Sequence, residues 1–260
     1  TYKETFSVND SLSRLFQVQL DWWSKNALFK TNKPIDKQNK IHLASVDYSK
    51  ISKVDNELIG SNGAYVANRT FFQFSHLNFL LSIFKNMAYD IEINSIDKNN
   101  GAVKVYFDAV FRQKGRLIYK HKNSLLVFSE DYKHIKHLKF NMMYESDFEN
   151  DISEKIKIPY QKKTTKHILE LSFKALKNKK LSLSYYTSEI FAVLKTKGFT
   201  DKIVSKQSLF VSESKLGKKL KKEEIDFYQP FYQNVTLNKK NDDIKILLTK
   251  KEKAFLDAKN

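Results

Sequence analysis

The sequence predicts an α+β fold: helices packed on a curved antiparallel meander, followed by a smaller basic α+β domain. Three observations lead there. Apolar residues recur at helical spacing near the N-terminus and again from residue 72 to 88. The period then falls to two over residues 89–144. Beyond Pro159 a helix-like stretch again precedes strand-like ones.

The first element rests on Leu12, Phe16, Leu20, Trp23 and Ala27, which fall on one helical stripe after Asn9 or Asp10 as a cap. Residues 31–70 read as loop with short hairpin pieces: "NKIHLASV" suits a strand, and Asn62-Gly63 is a turn signal between apolar runs. From Phe72 to Ala88, the positions Phe74, Leu77, Leu81, Phe84 and Ala88 predict a second amphipathic helix. Four β-like runs follow, "YDIEINSI", "AVKVYFDAVFR", "RLIYKHKNSLLVF" and "YKHIKHLKFNMMY", separated by the compact turns "DKNNG", "QKG" and "SED". In the second run Val103, Val105, Phe107, Ala109 and Phe111 share one face, as in a sheet with one buried side.

The segment "YESDFENDISEKIKIPY" reads as a linker, dividing the chain into domains at residues 1–150 and 160–260. Past it, Ile168, Leu169, Phe173 and Leu176 predict a helix from about Thr165, while "LSLSYYTSEIFAVL" fits helix or strand equally. Strand candidates are "KIVSKQSLFVS", "QNVTLN" and "DIKILLT", and "KKEKAFLDAKN" reads as a short charged helix.

The run from Phe71 to Tyr144, with its final hairpin "VFSEDYKHIKHLKF", resembles the NTF2-like superfamily, in which a helix precedes long strands and the last hairpin ends in an "x-I-x-x-L-x-F" pattern. The resemblance covers roughly Ser11 to Tyr144; in the final turn Glu130-Asp131-Tyr132 stands where that family usually has glycine and aspartate. It implies a cone-shaped pocket, used in some members for small-molecule catalysis or binding and in others for non-catalytic assembly. The domain at 160–260 then reads as a divergent relative.

Composition narrows the function. The chain has 260 residues and 41% hydrophobic content with 20 Phe and 13 Tyr, enough aromatic surface to offset chain entropy. With no cysteine, disulfides, thiol catalysis and Cys-ligated metals are excluded. Formal net charge is +17, of which residues 151–260 carry +12. Only Arg14, Arg69, Arg112 and Arg116 are arginines, so the positive charge is almost wholly lysine, the less suited residue for bidentate phosphate or base contacts. The longest apolar run, Phe79 to Phe84, is too short to span a bilayer, so the chain reads as soluble. It begins at Thr1 rather than Met, which permits a removed leader or anchor and an extracytoplasmic setting.

Candidate chemistry is sparse. A separation of three sends His134 and His137 to opposite faces of a strand, so they cannot chelate one metal; His121 shares a face with His134 in this reading, and His42, His76 and His167 have no companion at metal spacing. Asp90 and Asp108 are the strand carboxylates nearest a cone, but Asp108 alternates with Lys104 and Arg112, as in a solvated ion-pair face. No phosphate loop or nucleophile elbow can be drawn from six glycines.

Binding is better represented. Lys215, Lys218, Lys219 and Lys222 fall on one helical face, with "KALKNKK" as a second basic patch; both suit an anionic partner or a plain solvated surface. Of the pair Trp22-Trp23, Trp22 is the exposed anchor if Trp23 follows the helical stripe. The expected function is therefore a non-catalytic protein-binding or scaffolding component of a bacterial cell-envelope assembly, with no cofactor and no metal. A small-molecule binder or enzyme using the cone, and a nucleic-acid-associated factor using the lysines, are the alternatives. The expected partner is another protein; self-association, anionic lipid and nucleic acid come second.

Overall fold

The computed structural model describes residues 1–25, 39–52, 89–99, 101–145, 147–152, 158–175, 181–215, 217, 225, 235, 239–240 and 248–258. Among these the chain is almost entirely antiparallel sheet. The strands are β1 (Tyr2–Val8), β2 (Ser11–Ser24), β3 (Asn39–Ile51), β4 (Tyr89–Asn99), β5 (Ala102–Gln113), β6 (Arg116–Ser129), β7 (Ile135–Tyr144), β8 (Glu149–Ile152), β9 (Pro159–Ala175), β10 (Leu181–Thr196), β11 (Phe199–Phe210) and β12 (Lys239–Lys240). One short helix, α1 (Lys250–Asp257), follows.

The order across the sheet is β12-β3-β2-β1-β11-β10-β9-β7-β6-β5-β4, with β8 paired to β9 at the side. Strands from either side of the predicted linker hydrogen-bond directly, β1 with β11 and β7 with β9. The linker itself supplies β8 and the start of β9.

This architecture overturns the α+β, NTF2-like cone. The stretch expected as the first helix is strand β2, and the one expected from about Thr165 lies within strand β9. The reason is shared periodicity: Phe16 and Leu20, four apart, fit a helical stripe and one face of a strand equally well. Val18 and Trp22 against Gln17, Gln19 and Asp21 carry the period of two that decides it. Asn9 and Asp10 are not a helix cap but a hairpin turn; both have positive φ, 48° and 63°, as a type I′ turn requires. The ambiguous "LSLSYYTSEIFAVL" is strand β10. The predicted meander forms as β4 to β7, "KIVSKQSLFVS" lies largely in β11, and the charged C-terminal helix is α1. The helix expected over 72–88, the Asn62-Gly63 turn and most of "QNVTLN" and "DIKILLT" lie outside the described residues.

One face of the sheet, called inner here, holds the core. Val46, Val18, Tyr2, Leu209, Tyr186, Leu171, Leu138, Leu126, Val105 and Ile96 are cross-strand partners in turn, from β3 to β4. All but Val105 and Ile96 are buried, and Ile225 and Val235 join the same cluster. At the other end of the strands Phe6, Tyr160, Leu194 and Ile203 form a second cluster. On the outer face α1 lies near β1, β2 and β3: Lys3 Nζ is 2.6 Å from Glu252 Oε1, and Lys50 donates to the carbonyls of Leu256 (3.2 Å) and Ala258. A capping box between Thr249 and Glu252 starts that helix.

Candidate functional site

The alternation that builds the strands fixes where each polar side chain goes, and three regions stand out. The first is a buried polar strip on the inner face. Glu4, Gln207 and Ser188 are cross-strand neighbours on β1, β11 and β10, and Arg14 lies across from Phe6 on β2. Arg14 and Glu4 are fully enclosed, with Nη1 3.9 Å from Oε1. The Tyr2 hydroxyl donates to Glu4 Oε2 at 3.0 Å, and the Arg14 guanidinium sits 4.2 Å from the centre of the Phe6 ring. Gln207 is 1% exposed, and neither amide atom has a hydrogen-bond partner among the described residues. His167 Nε2 lies 2.8 Å from Ser188 Oγ.

The second region is an aromatic cluster on β4 to β7. Tyr89, Phe111, Tyr119, Phe107, Phe140 and Tyr144 surround or adjoin His121, with centroids 4.7 to 6.4 Å apart, and the Tyr89 and Tyr119 hydroxyls share a hydrogen bond. Burial among these rings pushes the His121 imidazole down to about 4, and burial does the same to His167. Both are neutral at ordinary pH. Neither has both a nucleophile and an orienting acid arranged around it among the described residues. Nor do they contain a group of three His, Asp or Glu able to hold a metal.

The third region is the free edge of the sheet. Strand β4 pairs with β5 on one side, and among the described residues no strand pairs with its other side. Its inner face carries Ile91, Ile93 and Ile96, opposite Ala109, Phe107 and Val105. A bulge at Asn94 inserts one residue, so Ile96 stays on the same face as Ile93 despite the odd separation. The three isoleucines are 37%, 59% and 56% exposed. They continue the core rows to the last strand and end there uncovered.

The residues singled out from sequence fall as follows. Trp22 faces inward, half-buried, packs against the core cluster and donates from Nε1 to Asn39 Oδ1 at 3.0 Å. Trp23 alternates to the outer face. Lys215 is exposed and lies 3.7 Å from Glu213, outside any regular element; Lys218, Lys219 and Lys222 lie outside the described residues. Lys174 of the second basic patch donates to the Val211 and Ser212 carbonyls, at 3.3 Å each.

Asp108 is an ion-pair residue, as its neighbours imply. Burial pushes its carboxyl up, but hydrogen bonds from Lys122 (2.8 Å), the Asn123 backbone and Asn94 outweigh that and hold it below the usual range. Asp90 pairs with Arg112 at 3.7 Å. His134 is an exposed turn residue whose backbone amide donates to Ser129 Oγ, and His137 is on the outer face, its Nδ1 2.8 Å from Ser172 Oγ. His121 faces the core and shares no site with His134.

Sequence reasoning missed the polar strip and the β4 edge. The edge had a signal, the alternation Ile91, Ile93, Ile96 against Asp90, Glu92 and Asp97; the strip had none, because it is assembled by β1 pairing with β11 across the length of the chain.

The chain matches no family model, and no curated protein or solved structure matches it.

Proposed function

We propose that the protein is a non-catalytic protein-binding or scaffolding component that receives its partner along strand β4. The observation that carries this is the exposed end of the apolar rows, Ile91, Ile93 and Ile96, beside a strand edge with which no other described strand pairs. An edge of this kind is a template for an added strand: main-chain hydrogen bonds supply affinity and alternate side chains supply specificity. The outer face of the same strand bears Asp90, Glu92 and Asp97, which disfavour self-pairing, because two copies would bring carboxylates together.

The test is affinity capture from the native organism in high salt, comparing the wild-type chain with Ile93→Lys/Ile96→Lys. Both side chains are mostly solvent-exposed, so the variant should retain its thermal midpoint within a few degrees. A defined protein held by the wild type and lost by the variant supports strand addition at β4. A partner that survives the double change, or no partner at all, refutes it.

A further inference from the structure

We infer that the end of the sheet where β8, β9 and the β10–β11 hairpin meet is a docking surface for an anionic membrane. It lies on different strands from the β4 edge and does not depend on it.

The surface has a charged part and an apolar part. On adjacent strands Lys163 faces Val193 and Val193 faces Lys202, while Lys195 stands opposite both Gln161 and Thr200. Lys163, Lys166, Lys195 and Lys202 have no carboxylate within ion-pair distance among the described residues. Lys195 instead lies 4.1 Å from the centre of the Phe148 ring, Lys163 lies 5.9 Å from the same ring, and Lys166 lies 5.6 Å from that of Phe191. Acidic groups here are largely engaged: Glu145 accepts from Lys120 at 2.8 Å and also attracts Lys163, and Asp147 pairs with Arg116. Asp151 accepts from Lys162 at 2.9 Å and from the Tyr160 hydroxyl at 2.8 Å, Asp201 accepts from Asn9, and Glu149 is exposed.

Around the same end Ile152, Ile158 and Phe199 are 59%, 42% and 44% exposed. Ile152 borders a hollow of about 580 Å³ shared with Lys195 and Lys197 from the neighbouring hairpin. Two aliphatic tips and a phenyl ring, backed by lysines, match a bilayer interface: apolar side chains enter the headgroup boundary while ammonium groups meet lipid phosphates.

Charge complementarity alone would also admit a nucleic acid, but the remaining chemistry does not favour one. This end is built mainly of lysines, its nearby arginine, Arg116, being held by Asp147, and the charged tip of Lys195 covers the Phe148 ring that a base would stack on. Ile152 and Ile158 have nothing to offer a base and a clear use in lipid.

The full chain is to be tested by co-flotation with vesicles of pure phosphatidylcholine and with vesicles half phosphatidylglycerol, at low and high salt. The expected result is binding to the anionic vesicles only, weakened by salt. It should be about 100-fold weaker in Lys163→Gln/Lys195→Gln/Lys197→Gln and several-fold weaker in Ile152→Ser/Phe199→Ser. Both variants must match the wild-type circular dichroism and thermal midpoint. Four outcomes overturn the inference: equal binding to neutral vesicles, binding to neither, retention by the triple lysine variant, or tighter binding of an oligonucleotide than of anionic vesicles.

Discussion

Arg14 and Glu4 bring opposite charges together on adjacent strands away from bulk solvent, and such a pair is costly to break from one side. Replacing Arg14 by Ala strands a buried carboxylate, and the expected loss is about 3–5 kcal/mol in denaturant unfolding. The double change Arg14→Met/Glu4→Gln removes both charges and should recover most of it, since an uncharged pair of similar volume has no desolvation debt. A single variant no worse than the double would show that the two charges are not coupled. Arg14 is also the residue that obscured its own strand. An arginine on the inward face breaks the apolar–polar alternation of β2, leaving the four-residue spacing of Leu12, Phe16 and Leu20 as the more visible pattern. Trp22 was misplaced for the same reason, because exposure assigned on a helix does not transfer to a strand, where residues 22 and 23 take opposite faces.

At the scale of elements, the turns explain why the central meander was legible. Lys114 and Gly115 close the β5–β6 hairpin with φ of 49° and 76°, the two left-handed residues a type I′ turn needs. Nothing would touch a Cβ at Gly115, so a substitution there is governed by backbone conformation alone. Gly115→Val should cost about 1–2 kcal/mol, and Gly115→Asn, which tolerates that region, a fraction of it. Equal thermal shifts for the two variants would contradict this account. Strands β4 to β7 combine alternation with such turns, so they could be read locally; β9 and β10 are long and carry lysine and threonine among their apolar residues, so their periodicity is diluted. The bulge at Asn94 was not legible, although it is what keeps Ile96 in line with Ile91 and Ile93.

Across the whole molecule, the inner face encloses two imidazoles, and its stability should therefore depend on acidity. His121 and His167 are held to about 4 when folded and return to about 6.5 when unfolded. Between those values the unfolded chain binds protons that the folded chain excludes, so stability falls as pH falls through that window. Each site accounts for about 3 kcal/mol when the window is fully crossed. Urea unfolding between pH 7 and pH 4 should show this slope, and His121→Phe, whose ring suits the aromatic surroundings, should make it measurably shallower. A flat profile would mean that the imidazoles reach water.

The sequence by itself determined the β4–β7 meander, the C-terminal helix, the absence of thiol chemistry and the lysine-dominated charge, because each depends on composition or on neighbours a few residues apart. Tertiary structure alone decided that β1 lies against β11 and β7 against β9, and with that the polar strip and the enclosure of His167. Strand pairing joins residues up to about two hundred positions apart, and no periodic pattern within one strand encodes which other strand will lie beside it.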